Sequence, residues 1–144
     1  MRAPAAAQWR PVARPTTVTP TLSRRERARL CRPAETQAGC AIATQLFFGL
    51  SRPDGGVVSE AEWRAFLADT VTPRFPAGFT VVAAEEQWRD EASAAILRET
   101  SRILLIVHPE GEGEAALAAL TDAYKTRFRQ QSVLRLDTKA LARF

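Results

Sequence analysis

From residue 41 onward the chain alternates between short apolar runs and stretches whose apolar side chains recur every three or four positions. Residues 42–50 are apolar and aromatic around Phe47 and Phe48, which predicts a first strand. The cluster Ser51-Arg52-Pro53-Asp54-Gly55-Gly56 ends it with turn chemistry. Ser59 followed by Glu62 has the spacing of a capping box and predicts a helix start at Ser59. Trp63, Phe66, Leu67 and Val71 then fall on one helical face, and Pro73 closes the helix. Residues 79–84 predict a second strand that extends toward Trp88. A polar turn over residues 89–95 leads to a third strand at 96–107, strongest at 103–107. Leu117, Leu120, Tyr124 and Phe128 mark a second helix over residues 114–129, and residues 132–136 a fourth strand.

Two β-α-β units of this size predict an α+β fold of the ferredoxin-like, split β-α-β-β-α-β kind. It has one antiparallel sheet of order 4-1-3-2 and both helices on one face. A sheet with one wet face alternates apolar and polar residues. The third strand does not alternate: Ile103, Leu105 and Val107 point one way, and Leu104 and Ile106 the other. Phe47 and Phe48 likewise point to opposite faces. The second face therefore needs a cover, and a homodimer packed sheet to sheet is the economical one; the tail folded back is the alternative.

Length and charge then divide the chain. Its 144 residues fit one domain. The net charge is +4, yet residues 1–35 hold eight Arg against two Glu, and the other 109 residues carry −2. Residues 1–40 also hold five of the nine prolines, so they read as a disordered basic tail and residues 41–144 as the folded domain. Ser23-Arg24-Arg25 lacks the apolar region of a twin-arginine signal. Ala38-Gly39-Cys40 lacks the apolar stretch that a lipoprotein signal places upstream. No run approaches the ~20 apolar residues of a membrane span. With no signal, the expected location is the cytoplasm. Cys31 and Cys40 are open to pairing or to remaining reduced, and one His with two Cys offers no evident metal site.

Several motifs are diagnostic. The segment from Leu46 through Gly56, Ser59-Glu60-Ala61-Glu62-Trp63, Thr72-Pro73-Arg74-Phe75-Pro76 and Gln87-Trp88-Arg89-Asp90 resemble the bacterial family known as domain of unknown function 3574. His108-Pro109, Tyr124-Lys125 with Phe128, and Gln131-Ser132-Val133 continue the likeness over about residues 43–137. The resemblance implies a domain of this size that often follows a lipoprotein or secretion signal, so the cell envelope stays open as a location. It implies no activity. Glu86 stands where the family pattern suggests a small residue, and Thr100 where proline is common.

The topology gathers polar residues at one edge of the sheet, here called the top. Arg52, Asp54, Trp88, Arg89, Ser101 and Ser132 compose a candidate site for a small polar or anionic ligand: an aromatic wall, two guanidiniums, a carboxylate and hydroxyls. Each also has a plain structural role open to it. Asp54 suits a turn, Arg52 an ion pair, and Trp88 an edge-strand packing position. Glu99 and His108 are the catalytic candidates. Glu99 is a general base if buried beside Trp88, or else a partner of Arg89 or Arg98. His108, at the bottom near Arg74, is an acid/base group or else caps its strand. Seven residues of strand separate Ser101 from His108 by ~23 Å, so those two cannot form a nucleophile pair in one subunit. Glu110, Glu112 and Glu114 lack the remaining ligands of a calcium loop. The third strand, with one Arg and no aromatic, lacks the stacking platform of an RNA-recognition sheet, which argues against nucleic acid. The expected function is a non-enzymatic, dimeric binding module without cofactor or metal. The competing expectation is a cofactor-independent enzyme of the dimeric α/β-barrel type.

Overall fold

In the computed structural model, residues 38–143 are described, and most of the basic tail lies outside them. β1 (Ala38–Gly49) is followed by α1 (Glu60–Phe66), β2 (Thr80–Arg89), β3 (Ile96–Pro109), α2 (Glu114–Phe128) and β4 (Leu134–Arg143). The four strands form one antiparallel sheet ordered β2-β3-β1-β4, the series 4-1-3-2 read from the other edge.

Local chemistry sets the helix ends. The Ser59 hydroxyl accepts from the Glu62 backbone N–H while the Glu62 carboxylate accepts from the Ser59 N–H, the reciprocal capping box. The backbone and side-chain hydrogen bonds from Ser59, with one from Arg52, hold the Glu62 carboxyl down at about 2. α1 continues as a wider π-helical turn over Leu67–Val71, where the Thr72 N–H reaches the Leu67 carbonyl at 2.8 Å. That extra turn carries Val71 into the core. α2 starts after Gly113, which takes the left-handed φ of +81° with the His108 ring against it.

The core lies between the sheet and the two helices. Leu46 and Phe48 from β1, Leu50 just past its end, and Leu104 and Ile106 from β3 meet Trp63 and Phe66 of α1 and Leu117, Leu120, Tyr124 and Phe128 of α2. Phe48 is the hub. Its ring lies 4.6 Å from that of Tyr124, 5.5 Å from Trp63 and 6.0 Å from Phe66.

Both outer elements differ from expectation. β1 starts at Ala38, so three residues assigned to the tail are strand, and β4 runs to Arg143 rather than ending at Leu136. The two extensions stabilise each other: Ala38 through Ala41 pair with Arg143 through Ala140. Asp137, Thr138 and Lys139 break the apolar pattern, yet the ladder carries the strand through them because its hydrogen bonds come from backbone. Cys40, within β1, is disulfide-bonded; the chain's other cysteine, Cys31, lies outside the described residues. Among the described residues, no helix is long and apolar enough to cross a membrane.

Opposed residues of paired strands share a face. On the face turned from the helices, Val82, Ile103, Phe47 and Leu134 stand in one row across all four strands. Val82 is 46% exposed and Leu134 51%. The next row brings Leu105 and Leu136, with Gln45 between them. The second face is thus apolar at its centre, and the described chain leaves much of it open to solvent.

Candidate functional site

The top edge sorts the expected site residues into two groups. In the turn, the Asp54 carboxylate accepts from the Gly56 N–H, a local Asx turn. Arg52 reaches from the turn to α1, where its Nη2 lies 2.6 Å from Glu62 Oε1, and its guanidinium sits 5.5 Å over the Phe128 ring. The Arg89 Nε donates to the Ala94 carbonyl within the β2–β3 hairpin, and Ser132 is exposed ahead of β4. Asp54, Arg52 and Arg89 are thus held by groups of the fold itself. The other two, Ser101 and Trp88, stand on the open sheet face together with Glu99.

The register builds that corner row by row. Ala84 opposes Ser101, Glu86 opposes Glu99, and Trp88 opposes Leu97. Gly49 opposes Ser101 from the other side. Glu99 is not the partner of Arg89 or Arg98. Arg98 bonds Gln87 and Glu85 on the opposite face, and among the described residues neither Glu86 nor Glu99 forms an ion pair. Instead Glu99 Oε1 accepts from the Ser51 backbone N–H at 2.8 Å, and its carboxylate lies across Gly49, where a Cβ would come within 2.6 Å of it. On the far side of the sheet the Tyr124 hydroxyl donates to the Gly49 carbonyl at 2.8 Å. Burial first, and the Glu99 charge second, push the Tyr124 phenol far up, so it stays a donor.

Among the described residues, three buried side-chain atoms have no hydrogen-bond partner: Arg52 Nε, Glu86 Oε1 and Ser101 Oγ. Ser101 is the sharpest case, because its side chain is wholly buried. Buried hydroxyls are normally satisfied, and each exception asks for a cause. Glu86 is the residue that the expected site omitted. Its signal was present as the acidic residue in place of a small one ahead of Gln87-Trp88, but only strand register brings it opposite Glu99.

His108 lies at the other end of the sheet, on the helix face, and so is separated from Ser101 by both length and side. The wholly buried Thr44 hydroxyl donates to Asp137 Oδ1 at 2.6 Å and meets His108 Nε2 at 2.9 Å. Its single proton goes to Asp137, so the histidine donates to it. His108 Nδ1 lies 3.0 Å from the Pro109 carbonyl. Burial opposes ionisation of Asp137, but the bonds from Thr44 and Arg135 outweigh it and hold the carboxyl below its usual range. Arg135 also makes a two-pronged bond to Glu114. Arg74 takes no part; its Nη1 donates to the Thr70 carbonyl. The hydroxyl sits between acid and imidazole with its proton committed to the acid, the reverse of a nucleophile triad. This network ties β1, β3, β4 and α2 together near the end of β3. Among the described residues, no group of three metal-ligating side chains stands together.

A family model described as "Protein of unknown function (DUF3574)" matches residues 43–144. No curated protein matches the sequence. Among solved structures, a phage SAM lyase in complex with S-methyl-5'-thioadenosine is similar in fold, at 15% identity and a TM-score of 0.52, over 78% of this chain and 95% of that one. CutA from Synechococcus elongatus aligns at 16% identity over 75% of this chain and 81% of that one, with a TM-score of 0.44.

Proposed function

The chain belongs to the DUF3574 family of proteins of unknown function, and from that premise we propose that it is a non-enzymatic binding module that works as a homodimer and holds a small polar ligand at the top corner of its sheet. The domain in question has the ferredoxin-like split β-α-β-β-α-β arrangement and takes in β1 from Ala38, behind the basic tail. The observation that carries the binding role is the wholly buried, unpartnered hydroxyl of Ser101 beside the Glu86–Glu99 row. An orphan buried polar atom costs roughly 1–3 kcal/mol unless something fills its valence. A ligand that donates hydrogen bonds would do so. Arg52 is already engaged by Glu62, and Arg89 by its own hairpin, which favours a polar ligand over an anionic one.

The homodimer rests on the open apolar row Val82, Ile103, Phe47 and Leu134. A second copy offers the same row, and two such faces stack ~10 Å apart as packed sheets do. One pair of measurements tests both parts. Light scattering on the full chain is expected to give a dimer, and Phe47→Asp a folded monomer; a monomeric wild type removes the dimer. Thermal-shift screening against small polar solutes, S-methyl-5'-thioadenosine among them because a fold relative binds it, is expected to find one that stabilises wild type and not Ser101→Ala. A panel that treats both proteins alike sinks the binding role.

The disulfide at Cys40 supports an oxidising compartment, the cell envelope, over the cytoplasm, where thiols are kept reduced. Trapping thiols with maleimide during cell lysis is expected to leave the full chain unlabelled. A doubly labelled protein would return it to the cytoplasm.

A further inference from the structure

The charge of the corner goes further than its polarity. Glu86 and Glu99 face each other directly across β2 and β3, a placement in which like charges destabilise a sheet. Such pairs ordinarily recruit a Lys or Arg, and among the described residues neither carboxylate has one, although Arg98 stands next to Glu99 in sequence. Arg98 is turned to the other face by strand alternation, toward Glu85 and Gln87. The Arg52 guanidinium, in the turn after β1, is paired with Glu62 at 2.6 Å.

The two carboxylates also differ in how they are held. Glu99 is fixed by the Ser51 N–H and by the missing side chain of Gly49. Glu86 has a buried oxygen with no hydrogen-bond partner among the described residues. The next position on this face beyond Glu99 toward the sheet centre is Ser101, whose unpartnered hydroxyl is wholly buried. The next row in the other direction is Trp88 opposite Leu97, both half-buried. Two acceptor carboxylates, a free hydroxyl and an indole wall are the parts of a site for an organic cation. The carboxylates supply charge and hydrogen-bond acceptors, and the aromatic face attracts a desolvated ammonium or similar group.

We propose that the Glu86–Glu99–Ser101 corner, walled by Trp88, binds a small organic cation whose positively charged, hydrogen-bond-donating group sits between the two carboxylates. This rests on the binding role given above and names the ligand class for the same site. A metal ion is the poorer occupant, since two carboxylates and one hydroxyl fall short of the six to eight oxygens that calcium takes.

The test uses the full chain, isotopically labelled, with three matched probes: phenethylamine as the cation, 2-phenylethanol as its neutral counterpart and phenylacetate as the anion. Phenethylamine is expected to shift the amide resonances of Gly49, Ser51 and Ser101 and the Trp88 indole in a saturable way, in the roughly millimolar range of a fragment. Glu86→Gln and Glu99→Gln, which keep the shape, should each weaken it about tenfold or more. Glu86→Gln should also raise the melting temperature without any probe, because it relieves the facing charges. If 2-phenylethanol or phenylacetate moves these resonances and phenethylamine does not, the ligand class is wrong while the site stands. If no probe moves them, the binding role fails with the proposal. If phenethylamine binds equally well to both glutamine variants, the cation is held elsewhere and the proposal is overturned.

Discussion

Phe48→Ala is expected to cost about 3–5 kcal/mol, a large part of the ~5–15 kcal/mol that stabilises a domain of this kind. Phe48 is wholly buried, and its ring touches Trp63, Phe66 and Tyr124, which come from both helices. Removing it opens a cavity where the central strand meets α1 and α2 together. The edge-to-face contacts with Phe66 and Tyr124, worth ~0.5–1.5 kcal/mol each beyond their area, go with it. A urea titration of the variant should show a midpoint lowered by well over 1 M, at typical denaturant slopes of ~1–3 kcal/mol per M. Phe47→Ala, one residue away on the open face, gives the contrast, since it empties no core. A smaller loss at Phe48 than at Phe47 would mean that the core between sheet and helices is wrongly assigned.

Thr44→Val should lose about 2–3 kcal/mol although it keeps the shape of the side chain. The hydroxyl is wholly buried and joins two charged or chargeable partners, Asp137 on β4 and His108 on β3. Valine leaves both with a missing bond, and unsatisfied groups of that kind cost ~1–3 kcal/mol each. Arg135 still holds Asp137, which limits the damage on that side. A double-mutant cycle with Asp137→Asn measures the link directly: the two losses should be strongly non-additive. A Thr44→Val protein within 0.5 kcal/mol of wild type, by the accuracy of such titrations, would show that solvent replaces the hydroxyl and that the network contributes little.

The sequence by itself determined the helices and their buried faces. The spacing of Trp63, Phe66 and Val71, and of Leu117, Leu120, Tyr124 and Phe128, identified the residues that the core buries, because a period of 3.6 is a local property of the chain. The capping box at Ser59 and Glu62 was legible for the same reason. The doubly apolar third strand marked a second apolar face, and Val82, Ile103, Phe47 and Leu134 stand in one row on it. The family likeness, carried by the turn and helix-start motifs, was legible as well.

What the polar residues do depends on how the strands and helices come together. Arg52 could have met a ligand or an acid, and the fold gave it Glu62, ten residues on. Asp137 looked like the end of a strand until pairing with β1 carried β4 past it and set it against Thr44, 93 residues away in the chain. Glu86 and Glu99 are thirteen positions apart, and nothing local marks them as a pair. They face each other because the β2–β3 hairpin fixes a register in which Glu86 opposes Glu99, and a slip of one residue would send one of the two to the helix side. Periodicity along a chain encodes which face a residue takes; which residue stands opposite it depends on the neighbouring strand, and that is set only when the sheet closes.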